Sequence, residues 1–304
     1  MLVFNIIGSI SANQRAISEP KRLGLDLSVL IVGSNGRFAK SFNSVLSNSI
    51  SVRKIGYEEL KNNGFDSAKD NFEEITTILW CIGAGNSRAS IQSDELGMLV
   101  RFFEKVSQFG RGLNKFIYLS TGGMMYGVNP GEVYESSPVR PVGTHGLLKF
   151  RCEEYIKSCF GSVFEQILIL RLPNAYSLDY TAENLGFIDT AWRNLNLNKR
   201  IEITVDPEST RQYGTHLDFA KYISDEFVVC QNSLQNPQTI NIDGGETLSI
   251  RQILNLFDVT SPGRLLIDDL GGVRNSVILR SEHAPKKSFN WTGLSEMLLS
   301  KLSN

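Results

Sequence analysis

Short, wholly apolar runs alternate along this chain with stretches in which apolar residues return every three or four positions, and the alternation holds from Val29 to about Leu172. Runs apolar on both faces predict strands buried in a parallel sheet, and the 3.6-residue period between them predicts amphipathic helices laid over it. Val29-Leu-Ile-Val32 is the first such run; Phe38, Phe42, Val45 and Leu46 follow at helical spacing, so the period changes across Gly33 to Gly36. Further strands are predicted at Ile50 to Ile55, Ile75 to Ile82, Phe116 to Leu119 and Phe164 to Leu172. A helix is predicted through Leu96, Leu99, Phe102, Phe103 and Val106, and another carries His145 and Lys149. Beyond Pro173 the pattern loosens into an alternating strand, Ile201-Glu-Ile-Thr-Val205, and a helix near Ser249 to Phe257.

The expected fold is α/β: a doubly wound parallel sheet with a smaller mixed α/β carboxyl-terminal lobe. Residues 1–27 read as an amino-terminal extension, 28–175 as the main domain, and 176–304 as mostly a substrate lobe with some segments returning to the main sheet.

Composition narrows the class of protein. With 304 residues, 41% apolar and 21% charged, the chain is long enough for a substantial core. Its formal net charge of −1, with the signs interspersed, gives no broad basic field, so neither nucleic acid nor an anionic membrane is an expected partner. Cys81, Cys152, Cys159 and Cys230 form no Cys-x-x-Cys pair, and His145, His216 and His283 are scattered, so no metal site is expected and a reduced, cytoplasmic setting fits. Leu2 to Ile10 is apolar, but Asn5 interrupts it, it is too short to span a bilayer, and no positive charges precede it.

Candidate chemistry sits at the strand ends. In Gly33-Ser-Asn-Gly36-Arg-Phe-Ala39, Gly33 permits a tight turn, Gly36 lets a pyrophosphate approach the backbone, and Ala39 lets the helix pack closely on the sheet. The fourth strand runs into Tyr118-Leu-Ser-Thr-Gly-Gly-Met-Met-Tyr-Gly127 and delivers Ser120 and Thr121 to its carboxyl end. An acidic, proline-rich link follows, then His145-Gly-Leu-Leu-Lys149, whose spacing of four puts His145 and Lys149 on one helical face.

These segments resemble the extended branch of the short-chain dehydrogenase/reductase superfamily, the NAD-dependent epimerase/dehydratase family, over roughly residues 28 to 302. The resemblance implies a Rossmann-like sheet, hydride transfer at a sugar carbon, and a nucleotide-activated sugar as substrate. It places His145 where the family's Tyr-x-x-x-Lys has its catalytic tyrosine, with Lys149 binding the nicotinamide ribose. The family's usual Ser or Thr position holds Gly122, and the alternative holds Met124, leaving Thr121 or Ser120 as substitutes; such hydroxyls more often cap nearby backbone. Tyr126 is expected to be structural, and Cys152 and Cys159 small buried residues. The cofactor is expected to contact Gly33, Asn35, Gly36, Arg37, Phe38, Ile82, Gly83, Ser120, Lys149 and Pro173; the strand ending Leu79-Trp-Cys-Ile-Gly-Ala-Gly85 carries a larger residue than usual at Ile82. Arg171-Leu-Pro-Asn174 and the segment Arg211 to Asp218 imply that Asn174 and Arg211 touch the substrate diphosphate. Asn241-Ile-Asp-Gly-Gly-Glu246 and Phe289-Asn-Trp291 extend the likeness.

NAD and NADP are not separated. No acidic residue closes the second strand, and Arg37, Arg53 and Lys54 lean toward the 2′-phosphate of NADP, while Arg53 and Lys54 also read as solvated edge charges. A neutral imidazole is the expected species at pH 7, since histidine starts near ~6.5 and a neighbouring cation lowers it. A homodimer through helices near Asp94 to Gln108 and Gly146 to Ser158 is implied by resemblance; the stripe Leu96, Phe103 and Val106 suits that or internal packing. Three uses fit: an enzyme with His145 as acid/base, an NAD(P)-binding sensor or regulatory protein without turnover, or a structural or nucleic-acid-binding use of the fold, which no basic aromatic patch supports.

Overall fold

The structure, a computed structural model, describes residues 27–63, 74–83, 89–108, 113–159, 163–179, 186–230, 237–284 and 288–303. The expected extension therefore lies outside the described residues, apart from Leu27, as does the Ala84-Gly85 end of the third strand's run.

The first half is a β/α alternation. Strands β1 (Ser28–Val32), β2 (Ser51–Ile55), β3 (Thr77–Trp80) and β4 (Leu113–Thr121) are separated by helices α1 (Arg37–Leu46), α2 (Tyr57–Asn63) and α3 (Ala89–Ser107). A short strand β5 (Gly131–Val133) and helix α4 (Gly143–Ser158) lead to β6 (Phe164–Leu172). The second half contains β7 (Asn174–Tyr176), α5 (Phe187–Asn196), β8 (Ile201–Ile203), β9 (Thr210–Thr215), α6 (His216–Ile223) and a π-helical turn, Ser224–Val229. It ends with β10 (Gln238–Asn241), β11 (Glu246–Ser249), α7 (Ile250–Thr260), β12 (Ile267–Asp269), β13 (Val277–Leu279) and α8 (Leu294–Leu302).

Six strands pair in parallel in the order β10-β6-β4-β3-β1-β2. One face carries α3 and α4 over a core of Trp80, Phe102, Phe103, Phe116, Phe164 and their neighbours; the other carries α1 and α6 over Phe38, Phe42, Leu119, Phe219 and Ile240. Burial on both faces is why the inner strands lack polar alternation, unlike the edge strand β2 with its Arg53 and exposed Lys54. Phe103 and Val106 are buried in that core and Leu96 packs against it, so the apolar stripe on α3 serves the chain's own packing. Among the described residues, no helix is long and apolar enough to cross a membrane.

A second sheet, β11-β9-β13-β5 with β7 beside β9, and a two-stranded β12-β8 pair form the other lobe around Trp192, Ile253 and Phe257. Sheet membership does not follow the chain cut at residue 175. β10 joins the main sheet, and β5, read from sequence as part of a link, pairs with β13 some 146 residues away. Three residues carry no period of their own, so only that distant partner defines β5 as a strand. The helix expected near Ser249 is present, and a reciprocal capping box between Ser249 and Gln252 fixes its start.

Candidate active site

Strand order reverses at β1, which has β2 on one side and β3 on the other, and the crevice above such a reversal is where open α/β sheets bind ligands. The β1–α1 turn forms its floor. Gly33 has φ +91°, and a Cβ there would lie 2.9 Å from the Ile82 side chain, so glycine is required both by conformation and by space. The turn is pinned by the Gly33 and Ser34 amides donating to the Ile55 carbonyl at 2.8 and 3.0 Å, and by the Gly36 amide donating to the Gly33 carbonyl at 3.1 Å. Gly36 is the exposed N-cap of α1, offers no side-chain cap, and no acidic residue lies in the first turn. A Cβ at Gly36 would meet nothing closer than its own turn's carbonyl at 3.4 Å. Asn35 is exposed beside it, whereas the ring of Phe38 turns inward, edge-on to His216 and against Phe42, leaving only its backbone toward the turn.

Across the crevice, His145 and Lys149 stand one turn apart on α4, but in different settings. His145 is half-buried, and burial, followed by the Lys149 charge, pulls its imidazole down to about 4, so it is neutral at pH 7. Lys149 is fully buried. Its ammonium donates to Glu95 Oε1 at 2.8 Å, the Ile82 carbonyl at 3.0 Å and the Leu119 carbonyl at 3.1 Å, over the Tyr118 ring. All three protons are thus engaged inside the protein. The partner Glu95 comes from α3, also accepts the Tyr118 hydroxyl at 2.9 Å, and sits where a Cβ on Gly83 would be, which is why position 83 (φ +68°) is glycine.

The hydroxyls at the end of β4 separate as well. Ser120 is buried and donates to Glu153 Oε1 at 2.5 Å. Glu153 is held by Arg171 Nε at 3.1 Å and Nη2 at 2.7 Å; Arg171 Nη1 donates to the Tyr126 hydroxyl at 2.8 Å, which donates to Asn241 Oδ1 at 2.6 Å. This closed network commits the Ser120 hydroxyl to Glu153 and holds the Tyr126 phenol within the fold, where burial keeps it protonated. Thr121 is half-buried, and its hydroxyl makes no hydrogen bond among the described residues. A side chain at Gly122 would collide with Leu279 of β13, so the apolar second sheet occupies the space a hydroxyl would need there.

On the substrate side, Pro173 is half-buried, and Asn174 is exposed and donates to the Gln212 carbonyl at 3.2 Å. Arg211 is half-buried on β9; its guanidinium donates to the neighbouring Thr210 carbonyl at 3.1 Å and has no carboxylate partner among the described residues, and burial lowers its pKa. The lean toward NADP loses its basis here. Arg37 is paired with the buried Asp189 of α5, and Arg53 with Glu74 at 2.5 Å, so two of the three cations already answer to carboxylates.

The sequence model of the NAD dependent epimerase/dehydratase family matches residues 65–242, more than half of the chain. The chain belongs to that family. A dTDP-4-dehydro-6-deoxyglucose reductase of Escherichia coli is 24% identical over 227 residues, covering 71% of this chain and 69% of that protein. Among solved structures, MoeE5 in complex with UDP-glucuronic acid and NAD superposes with a TM-score of 0.74 at 18% identity, covering 91% of this chain and all (100%) of that one. The UDP-glucose 4-epimerase of Thermotoga maritima, solved with UDP-glucose, gives 0.69 at 17% identity, covering 91% and 100%.

In this epimerase/dehydratase family member, sequence reasoning missed Glu95, Glu153, Asp189 and His216. Glu95 carried a signal: with Leu99, Phe102 and Val106 it falls at i, i+4, i+7 and i+11, a charge within the buried stripe of α3. Asp189 takes the Ser177 and Leu178 amides at 3.0 and 2.8 Å as well as Arg37, and His216 bonds Ser177 Oγ at 2.8 Å; nothing local to either residue announces those partners.

Proposed function

We propose that the chain is a nicotinamide-dependent enzyme acting on a nucleotide-activated sugar by epimerase, dehydratase or reductase chemistry, with His145 as the acid/base group in the place of the family's tyrosine. The carrying observation is the Gly33–Gly36 turn: a backbone cradle with a sterically required first glycine and an uncapped, exposed second one, at the point where strand order reverses. Gly33, Asn35, Gly36, Ile82, Gly83 and Pro173 would hold a dinucleotide, and nothing in their surroundings separates NAD from NADP. The nicotinamide would supply the hydride exchange. Solved relatives hold NAD together with UDP-glucuronic acid or UDP-glucose, which supports the ligand class.

The chain's own groups take the remaining tasks. A neutral His145 ring nitrogen accepts the proton of a sugar hydroxyl, and the imidazolium returns it. Since the group titrates at about 4, the base form dominates above that pH and activity falls only as pH drops through it. Thr121 offers a hydroxyl at the strand end. Arg211, with most of its donors uncommitted, suits a diphosphate.

Calorimetry with NAD and NADP tests the cradle. The unchanged protein binds at least one of them, and Gly36→Ala, which puts a methyl on the open face, loses at least about tenfold in affinity while folding normally. No binding by the unchanged protein refutes the reading. Turnover of UDP- and dTDP-sugars, abolished by His145→Ala, then separates an enzyme from a binder without chemistry.

A further inference from the structure

This inference rests on the cradle reading and concerns which side chains a bound dinucleotide can call upon. An ammonium has three protons, and those of Lys149 go to Glu95 Oε1, the Ile82 carbonyl and the Leu119 carbonyl, all within 3.1 Å. The two carbonyls are backbone at the ends of β3 and β4 and come with the sheet. Glu95 is different: it is a side chain from another helix, carried into a fully buried position. Its second oxygen, Oε2, has no partner among the described residues and lies against Gly83. Burying a carboxylate with one oxygen unsatisfied is costly, and what offsets that cost is the cation it faces.

We propose that Glu95 is a positioning residue that withholds the Lys149 ammonium from the ligand: it completes the lysine's three bonds, cancels its charge and locks it beneath Gly83, so that His145 alone handles protons at the ligand.

Lys149 then acts as a strut joining α3, α4 and two strand ends, and a dinucleotide meets a neutral pair where a lysine read from sequence alone would present a cation. Two measurements on the full chain test this. By NMR, the Lys149 ammonium protons exchange slowly with solvent and keep that protection when NAD is added; Glu95→Gln, which keeps the shape but removes the charge, speeds their exchange. Protection lost on adding NAD, or absent from the start, overturns the proposal. By calorimetry, the uncharged pair Glu95→Leu with Lys149→Met binds NAD within about threefold of the unchanged protein, because neither a ligand bond nor net charge is lost. Glu95→Gln binds it about tenfold more tightly, because an uncompensated cation now faces an anionic ligand. A tenfold loss in that double variant overturns the proposal. Should Glu95→Gln fail to fold, the double variant carries the test by itself, with the same threefold limit. A chain that binds no dinucleotide fails the cradle reading, while ammonium protection still decides the role of Glu95.

Discussion

At the β1–α1 turn the groups offered to a ligand are backbone amides, shaped by two glycines and left without side-chain caps. At the ends of β3 and β4, facing it across the crevice, the polar groups are side chains, and nearly all of them already answer to one another: Lys149 to Glu95, Ser120 to Glu153, Tyr126 to Arg171 and Asn241. The contrast shows two ways of building a site. A backbone cradle needs only local geometry, so it stays open whatever surrounds it. A side-chain site needs its partners withheld, and here α3, α4 and β6 supply them.

That contrast can be broken most forcefully at Glu153. Glu153→Ala leaves Arg171, 2% exposed, without its carboxylate and Ser120 without its acceptor, and is expected to lower stability by about 3–5 kcal/mol in chemical denaturation. Gly36→Ala in the cradle is expected to cost under about 1 kcal/mol. Comparable losses in the two variants would show that the regions are not built differently.

A second effect comes from His216, where the lobes meet. Burial first, then the Arg37 charge, holds its imidazole down to about 3, well below the ordinary histidine value of about 6.5. The unfolded chain binds the proton first, so stability rises with pH across this window and is lost as pH falls from about 6.5 toward 3, by on the order of a few kcal/mol. Thermal unfolding of His216→Asn across the same range should show a flatter dependence. An unchanged slope would mean that other groups carry the acid sensitivity.

The smallest effect sharpens the comparison from outside. Glu74 is largely exposed, so Glu74→Gln, which removes the partner of Arg53, should change stability by no more than about 0.5 kcal/mol by denaturant titration. A larger loss would contradict the view that burial, and not ion pairing as such, separates the strand-end network from the surface.

Much of the fold was legible. β1 and β6 fall where apolar runs put them, because strands covered on both faces are dominated by apolar residues; β2, a partly exposed edge strand carrying Arg53 and Lys54, also falls within its expected range, and the turn at Gly33 is marked by the change of period around it. β3 is shorter and β4 longer than their runs, since strand ends depend on the neighbour's register. Of the site, the positions of His145 and Lys149 on one face of α4 were readable from their spacing, but their environments were not. Lys149 and Glu153 stand at i and i+4, a spacing that favours a local ion pair; instead Lys149 turns to Glu95 and Glu153 to Arg171, because each is buried where another element supplies a closer and better-shaped partner. The space beside Gly122 is filled by Leu279, which no pattern near either residue foretells.

By itself, then, the sequence determined the alternation of strands and helices, the glycine turn, and which helix face carries an imidazole and an amine, since period, conformational freedom and spacing are properties of neighbours along the chain. Only the tertiary structure decided that the ammonium is paired with Glu95, that Ser120 and Tyr126 are bonded within the fold, and that Arg37 reaches across to Asp189. Those outcomes turn on which distant group is brought to hydrogen-bond distance at buried or partly buried positions, and that is a property of packing.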